Sequence, residues 1–273
     1  MPSDYLLIPG FSCDATSMQP LANHLRADHY SIFDHLQDWS SYSPNTGLKT
    51  EEFLSIREVA SRVYSCNSWS NKKIVVAHSW GCRIALELFR CHPKAIAGIV
   101  LIEGSLQIPD ALLGQPDEAR IVTQEKLSGP PSNQNFFKDF FQTFVRQTSI
   151  DGITPKSIQH ATCKMMNALP ENAAFQAFIE LAAWEAEHLA GSIKSMRSQK
   201  LPLLALQSTT LAKDLSRTLM TQSSTSNWLE LLKKIYPDCE LVKVENSGHF
   251  LQMEKPNETS KIISNWTQKL QVD

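Results

Sequence analysis

The sequence predicts an α/β fold in which a mostly parallel sheet is flanked by helices and interrupted by an inserted helical segment. Short apolar runs rich in β-branched residues alternate with longer helical patterns at both ends of the chain, which is typical of βαβ units. Between about 106 and 199 this alternation stops, and only helical spacing remains. We therefore expect a first part of the core over 1–105, a helical cap insertion over 106–199 and a second part of the core over 200–273.

Six apolar runs predict the strands of the sheet. They are Tyr5–Ile8, Tyr30–Phe33, Lys73–Ala77, Ala97–Ile102, Leu201–Leu206 and Leu241–Val244. Helices are expected at about 15–26, 50–65, 81–91, 227–236 and 256–270, with Pro256 near the start of the last, where its missing N–H costs little. Within the insertion, helical spacing covers Phe136–Phe144, Ile158–Leu169 and Ala173–Leu189.

A candidate nucleophile lies between the third strand and the following helix. The segment from Ile74 to Cys82 reads IVVAHSWGC, a buried strand followed by a serine in a sharp turn. This arrangement is the nucleophile elbow, whose usual signature is G-x-S-x-G, and here Ala77 replaces the first glycine while Gly81 keeps the second. Ser79 would lie at a helix N-terminus, where backbone amides and the helix dipole favour developing negative charge.

Two more segments complete a set of groups for acyl transfer. The first strand ends in Pro9-Gly10-Phe11, a turn that could supply a second amide to an oxyanion hole, so we assign the hole to the backbone N–H groups of Phe11 and Trp80. His249 follows the last apolar strand and comes last in the chain, as a base in the order serine, acid, histidine does. We interpret it as the base that accepts the Ser79 proton.

These motifs resemble the α/β-hydrolase superfamily over nearly the whole chain. The resemblance rests on Pro9-Gly10-Phe11, on residues 77–81, on the strand 201–206 and on Gly248-His249-Phe250 with Glu254-Lys255-Pro256. It implies an α/β-hydrolase fold with an inserted cap that supplies specificity and excludes water. The chain departs from the common pattern at Pro9, where the family usually has the histidine of a His-Gly motif.

The position of the triad acid is a second departure. Superfamily members usually carry it shortly after the strand matched here by 203–206, but this chain reads Gln207-Ser208-Thr209-Thr210 there, and the nearest carboxylate is Asp214. Glu103 instead follows the preceding strand, whose C-terminal end faces the ligand crevice of such folds. Zearalenone lactonases and cofactor-free quinolone dioxygenases resemble this placement. We favour Glu103, with Asp214 as the alternative.

Two further side chains are candidates for contact with a substrate. His78 precedes the nucleophile and could line the pocket, although residues at an elbow are often structural. Trp184 lies at helical spacing in the insertion and could form an aromatic wall over the site, although such a residue is more often part of a core. Both are predicted as substrate-binding residues.

Composition excludes several other classes of partner. The 26 basic and 28 acidic residues are interspersed, so no positive field or stripe is available for nucleic acid or a membrane surface. The six cysteines lack the spacing of a metal site or a disulfide framework, and the N-terminal residues lack a signal peptide pattern. We expect a cytoplasmic protein with a small-molecule substrate, no metal and no cofactor, and the sequence does not indicate an oligomeric state.

The predicted activity is that of a serine hydrolase. The set of groups fits cleavage of a carboxylic ester, thioester or lactone of a small apolar or aromatic substrate through an acyl-enzyme on Ser79. A serine at the elbow argues against haloalkane dehalogenases and epoxide hydrolases, whose nucleophile in this fold is an aspartate. Two alternatives remain: a cofactor-independent dioxygenase acting on a 3-hydroxy-4-quinolone type of substrate, and a noncatalytic small-molecule receptor.

Overall fold

A computed structural model of the protein describes residues 4–25, 29–34, 55–106, 108–130, 132–212 and 216–270. Six parallel strands form one sheet in the spatial order β2-β1-β3-β4-β5-β8. They are β1 (Asp4–Ile8), β2 (His29–Ile32), β3 (Lys73–His78), β4 (Ile96–Ile102), β5 (Leu203–Gln207) and β8 (Glu240–Lys243). A separate antiparallel hairpin consists of β6 (Thr209–Leu211) and β7 (Arg217–Leu219). The predicted α/β-hydrolase fold is thus confirmed.

The central strands are apolar because helices cover both faces of the sheet. Every residue of β3 is buried, as expected for a parallel strand with no solvated face. In the register of β3 and β4, Ala77 lies opposite Leu101 and His78 opposite Ile102. The residues that follow these strands, Ser79 and Glu103, are therefore placed side by side at the carboxyl edge of the sheet.

Two sets of helices pack against the sheet. One hydrophobic cluster joins it to α2 (Ile56–Ser65), α3 (Gly81–Cys91) and α9 (Asn227–Ile235). Another joins it to α1 (Gln19–Ala22), α10 (Leu251–Glu254) and α11 (Pro256–Lys269). Serine side chains cap α2 and α9: Ser55 accepts a hydrogen bond from the amide of Glu58, and Ser226 one from that of Leu229. Within the first cluster, apolar side chains of α3 pack directly against those of β3.

The described residues between β4 and β5 form helices and no strand, as the sequence predicts. The helices are α4 (Pro116–Ser128), α5 (Phe136–Arg146), α6 (Lys156–Met166), α7 (Glu171–Trp184), a π-helical segment (Glu185–Leu189) and α8 (Ala190–Ser198). Their apolar side chains, including Phe141 and Phe178, belong to the same cluster as α3. The proposed domain boundaries stay a prediction.

Several predicted elements differ in extent from the observed ones. The helix expected at 15–26 is a 3₁₀ turn (Ala15–Ser17) followed by the four-residue α1, with residue 26 outside the described ranges. The helix expected at 50–65 begins at Ile56, and 50–54 lie outside the described ranges. β5 begins after Pro202, which has no N–H to donate to a ladder. The sequence analysis missed α4, α8 and the β6–β7 hairpin.

Within the described ranges, no helix is both long enough and apolar enough to cross a bilayer.

Candidate active site

Ser79 occupies a strained turn between β3 and α3. Its φ of +52° lies in the left-handed region that residues with a side chain rarely adopt. Gly81 permits this turn to pack against β1, because a Cβ there would lie 2.5 Å from the carbonyl oxygen of Pro9. The geometry is that of a nucleophile elbow, with the serine side chain presented at the sheet edge.

Ser79, His249 and Glu103 form one hydrogen-bonded chain. The Ser79 Oγ lies 3.0 Å from Nε2 of His249, and Nδ1 of His249 lies 3.3 Å from Oε2 of Glu103. A carboxylate only accepts, so Nδ1 carries the imidazole proton and Nε2 is free to accept one from Ser79. The structure therefore brings together all three predicted triad residues across 170 positions of the chain.

Glu103 is a completely buried carboxylate with many donors. It also has a positive φ, +53°, which turns its side chain back toward β5. It accepts hydrogen bonds from the amides of Ser208 and Thr209 and from the Thr209 hydroxyl. The single Ser208 hydroxyl proton lies between its Oε1, at 2.9 Å, and the carbonyl oxygen of Gly248, at 2.8 Å. Nη1 of the buried Arg217 lies 3.9 Å from its Oε2. Burial raises the pKa of Glu103, and Arg217 followed by these hydrogen bonds opposes that rise.

The loop that carries His249 is fixed by a second, half-buried carboxylate. Glu254 accepts hydrogen bonds from the amides of Gly248, at 2.7 Å, and Phe250, at 3.2 Å. Burial, together with the positive charge of Arg217, lowers the pKa of His249 well below its usual range. A neutral imidazole is the form that a general base needs at rest.

The predicted oxyanion loop approaches the nucleophile closely. A Cβ on Gly10 would lie only 3.3 Å from the Ser79 Cβ, so the backbone at 10–11 runs against the elbow. The rings of Phe11 and Trp80 contact each other edge to face, with centroids 5.9 Å apart. Both residues line the same cavity as Ser79, and their role as oxyanion donors stays a prediction.

A small cavity lies over Ser79, with about 20 Å³ open to the centre of a water molecule. Apolar side chains of α5 and α7, among them Phe144, Phe178 and Leu181, form part of its walls. Arg83 and Ser105 supply polar groups at its edge. This volume holds about one water, so a ligand larger than a few atoms requires the aromatic side chains or these helices to shift.

The two predicted substrate contacts have other partners in the structure. His78 is buried and its Nε2 lies 2.9 Å from the carbonyl oxygen of His249. Trp184 is buried and its indole N–H donates to Glu87 at 3.0 Å. Neither is among the residues that line the cavity over Ser79. The alternative acid Asp214 lies outside the described residues.

Four charged groups around the site were not predicted from the sequence. They are Arg217, Glu254 and the ion pair of Arg83 with Glu185, whose Nε to Oε1 distance is 2.8 Å. Glu254 lies in a segment already singled out for its family resemblance, so its role could have been sought there. The carboxylate-free segment after β5 was also a signal, because Ser208 and Thr209 supply donors to an acid from another strand.

Within the described residues, no cluster of histidine, cysteine, aspartate and glutamate side chains has the arrangement of a metal site. The chemistry available at this edge of the sheet is proton transfer by His249 and nucleophilic attack by Ser79.

Comparison with known proteins connects this geometry to a family. The family model of the alpha/beta hydrolases matches residues 5–262. No curated protein matches the sequence.

Several solved structures are similar in fold. A thermophilic esterase from Thermogutta terrifontis has a TM-score of 0.64 at 16% identity, covering 98% of this chain and 90% of its own. Est816, an N-acyl homoserine lactone degrading enzyme, has a TM-score of 0.62 at 16% identity, covering 97% and 93%. A haloalkane dehalogenase variant from Bradyrhizobium elkanii has 0.67 at 14%, covering 99% and 90%. At such identities these likenesses show the fold alone.

Proposed function

The chain belongs to the alpha/beta hydrolase family, and from this premise we propose that it is a serine hydrolase acting on a carboxylic ester, thioester or lactone. The observation that carries the proposal is the hydrogen-bonded chain from Ser79 through His249 to Glu103. The similar esterase and the similar lactone degrading enzyme support the same chemistry. A nucleophile, a base and an orienting acid are the groups that acyl transfer requires.

The first half of the reaction forms an acyl-enzyme. His249 Nε2 accepts the Ser79 proton as Oγ attacks the substrate carbonyl carbon. Negative charge develops on the carbonyl oxygen, and we assign its stabilisation to the backbone N–H groups of Phe11 and Trp80. The imidazolium then donates its proton to the leaving oxygen or sulfur, while Glu103 stabilises the positive charge.

The second half regenerates the free enzyme. His249 accepts a proton from a water molecule, whose oxygen attacks the acyl carbon on Ser79. The tetrahedral intermediate then collapses, the bond to Oγ breaks, and the proton returns from His249 to Ser79. The carboxylic acid leaves in this half, after the alcohol of an ester or the thiol of a thioester has left in the first, whereas a lactone gives one hydroxy acid. No cofactor takes part in these steps.

The cavity walls favour an apolar or aromatic acyl group. Phe11, Phe144 and Phe178 face Ser79 from the oxyanion loop and the cap. Burial of apolar substrate surface contributes about 25 cal/mol per Å², so aryl or medium-chain esters are expected to be cleaved more efficiently than short polar ones. Phe178→Ala would enlarge the cavity and shift the preference to longer chains.

A cofactor-independent dioxygenase is the second candidate function. The observation that favours it is the attachment of the acid to the end of β4, at Glu103, rather than after β5. In such an enzyme His249 would deprotonate an aromatic hydroxyl and Ser79 would assist binding. Oxygen uptake with a 3-hydroxy-4-quinolone would favour this function, whereas turnover of esters without oxygen uptake would favour the hydrolase.

The test of the proposed function is hydrolysis of a series of p-nitrophenyl esters by the wild type and by Ser79→Ala. We expect turnover by the wild type, covalent labelling of Ser79 by a fluorophosphonate probe, and loss of both in a folded Ser79→Ala. Labelling without turnover of any ester or lactone would point to the receptor alternative, since a receptor can retain a reactive serine. Activity that survives in Ser79→Ala would overturn the assignment of the nucleophile.

A further inference from the structure

In the histidine loop (residues 248–250), each backbone N–H and C=O from the amide of Gly248 to the amide of Phe250 has a hydrogen-bond partner. The amides of Gly248 and Phe250 donate to Glu254, and the carbonyl oxygen of Gly248 lies 2.8 Å from the Ser208 hydroxyl. The amide of His249 donates to the carbonyl oxygen of Thr148, at 3.3 Å. The carbonyl oxygen of His249 accepts a hydrogen bond from Nε2 of His78.

His78 contacts the base directly through both its ring and its nitrogen. Its Nε2 lies 2.9 Å from the carbonyl oxygen of His249, and the two imidazole ring centroids are 4.8 Å apart. The ring also packs on Phe250, at 5.1 Å between centroids. With an exposed fraction of 1%, His78 has no route to solvent that would let it exchange this partner for water.

The partner fixes the tautomer of His78. A carbonyl oxygen can only accept, so Nε2 must carry the proton. Nδ1 has no hydrogen-bond partner among the described residues and faces Gly10, where an added Cβ would lie 2.6 Å away. A second proton on Nδ1 would have no acceptor at this point, so the imidazole is held neutral with its single N–H directed at the histidine loop.

We propose that His78 is a positioning residue that sets the distance between the nucleophile and the base. His78 is covalently bound to Ser79, so a single peptide unit and a single hydrogen bond connect the nucleophile to the backbone of His249. The other partners of the loop come from the cap, from the β5–β6 turn and from Glu254, and none of them is adjacent to Ser79 in the chain. His78 therefore couples the two reacting residues, a role that rests on the proposed hydrolase function.

The kinetic test compares two replacements with opposite hydrogen-bonding capacity. Phe in place of His78 keeps an aromatic ring but removes the donor, whereas Gln places an amide N–H near the position of the imidazole Nε2. If this hydrogen bond holds the reacting geometry, we expect its loss to lower kcat by roughly 5- to 150-fold, which is about 1 to 3 kcal/mol in activation free energy at 1.36 kcal/mol per tenfold. We expect this loss in His78→Phe with KM within about twofold of the wild type, and recovery of most of it in His78→Gln.

Controls separate positioning from general effects. His160→Gln changes an exposed histidine of the cap and should leave kcat and KM unchanged, and unfolding in urea verifies that both His78 variants are folded. If His78→Phe raises KM and leaves kcat unaffected, His78 contacts substrate instead. If the kcat of His78→Gln falls as far as that of His78→Phe, the hydrogen-bond donor at this position has no role in catalysis. Either result would overturn the proposal.

A spectroscopic readout tests the same idea without turnover. The Nδ1 proton of His249 lies between a ring nitrogen and a carboxylate, and such protons resonate far downfield in a proton NMR spectrum. We expect this signal in the wild type and in His78→Gln, and its loss or broadening in His78→Phe, because the imidazole is no longer fixed toward Glu103. An unchanged signal in His78→Phe would contradict the proposal. If the wild type cleaves no ester but shows this pattern, the hydrolase proposal fails while the positioning of His249 by His78 stands.

Discussion

At the residue scale, the proposed chemistry depends on a carboxylate that is fully removed from water. Glu103 has no exposed surface, and an isolated charge in such a place would be strongly destabilising. Donors from Ser208 and Thr209 and the charge of Arg217 compensate for its lost hydration. This compensation lets a buried glutamate remain available as the partner of His249 Nδ1.

Replacing Glu103 by glutamine is expected to lower kcat by roughly 10³- to 10⁴-fold, because an amide no longer holds His249 in the tautomer that accepts the Ser79 proton. Ester hydrolysis measured on folded protein checks this. Asp214→Asn is the matched control and should retain wild-type activity. The opposite pattern, an active Glu103→Gln with an inactive Asp214→Asn, would transfer the role of the acid to Asp214.

At the scale of elements, the turn after β1 must approach the elbow without a side chain. Gly10→Ala would place a Cβ 2.6 Å from Nδ1 of His78, which forces the turn away from Ser79. Because displacement of an oxyanion donor typically costs about 10²-fold or more in kcat, we expect a decrease of that order with a smaller change in KM.

The control for this substitution is Gly191→Ala in α8, where an added Cβ meets no atom within 4 Å. We expect kcat and KM of Gly191→Ala to equal those of the wild type. Its free energy of unfolding in urea should be higher by about 0.5–1 kcal/mol, since alanine is the better helix former. Equal activity of Gly10→Ala and Gly191→Ala would show that the close approach at Gly10 is not needed for catalysis.

The ion pair of Arg83 with Glu185 joins α3, the helix behind the nucleophile, to the π-helical segment of the insertion. The two side chains are 1% and 0% exposed, and Nη1 of Arg83 also donates to the carbonyl oxygen of Ser79 at 3.2 Å. Removal of one partner leaves a buried charge without its counterion, so Arg83→Met or Glu185→Gln alone is expected to lower the free energy of unfolding by about 3–5 kcal/mol.

A double substitution distinguishes the ion pair from simple packing. Arg83→Met combined with Glu185→Gln removes both charges, and we expect the double variant to be less destabilised than the sum of the two single variants in a urea unfolding cycle. Strict additivity would mean that the two side chains stabilise the fold independently.

For the whole molecule, buried imidazoles make stability depend on pH. Burial lowers the pKa of both His78 and His249 well below the ordinary value of 6.5. Below pH 6.5 the unfolded chain binds protons at these positions while the native protein does not, so the free energy of unfolding contributed by these groups falls as the pH falls. Glu103 has the opposite effect. Because its pKa is raised in the native state, its contribution to the free energy of unfolding rises as the pH falls.

Comparison of the wild type with His78→Gln isolates one of these contributions. One histidine that titrates only when unfolded lowers stability by about 1.4 kcal/mol between about pH 7.5 and 5.5. We therefore expect the loss of unfolding free energy over this interval to be smaller in His78→Gln by about that amount, measured by urea titration at each pH. Parallel pH curves for the two proteins would mean that His78 binds protons equally in the native and unfolded states, which contradicts a lowered pKa of His78.

The sequence by itself determined the class of fold, the family resemblance and the positions of the candidate nucleophile, base and acid. These follow from local features: short continuous apolar runs, helical spacing, and small residues around Ser79 in a strand-to-helix turn. The boundaries of the predicted strands lie within a few residues of those observed, because burial of a parallel strand on both faces leaves a continuous apolar run.

Only the tertiary structure decided which distant side chains meet. The sequence left Glu103 and Asp214 as alternatives, and the structure places Glu103 at 3.3 Å from His249 because β3 and β4 pair in one particular register. It also decided that the N–H of His78 points to the carbonyl oxygen of His249, 171 positions away. Such contacts depend on sheet order, register and the position of the insertion, which arise from packing of the whole chain and leave no periodic signal in the residues themselves.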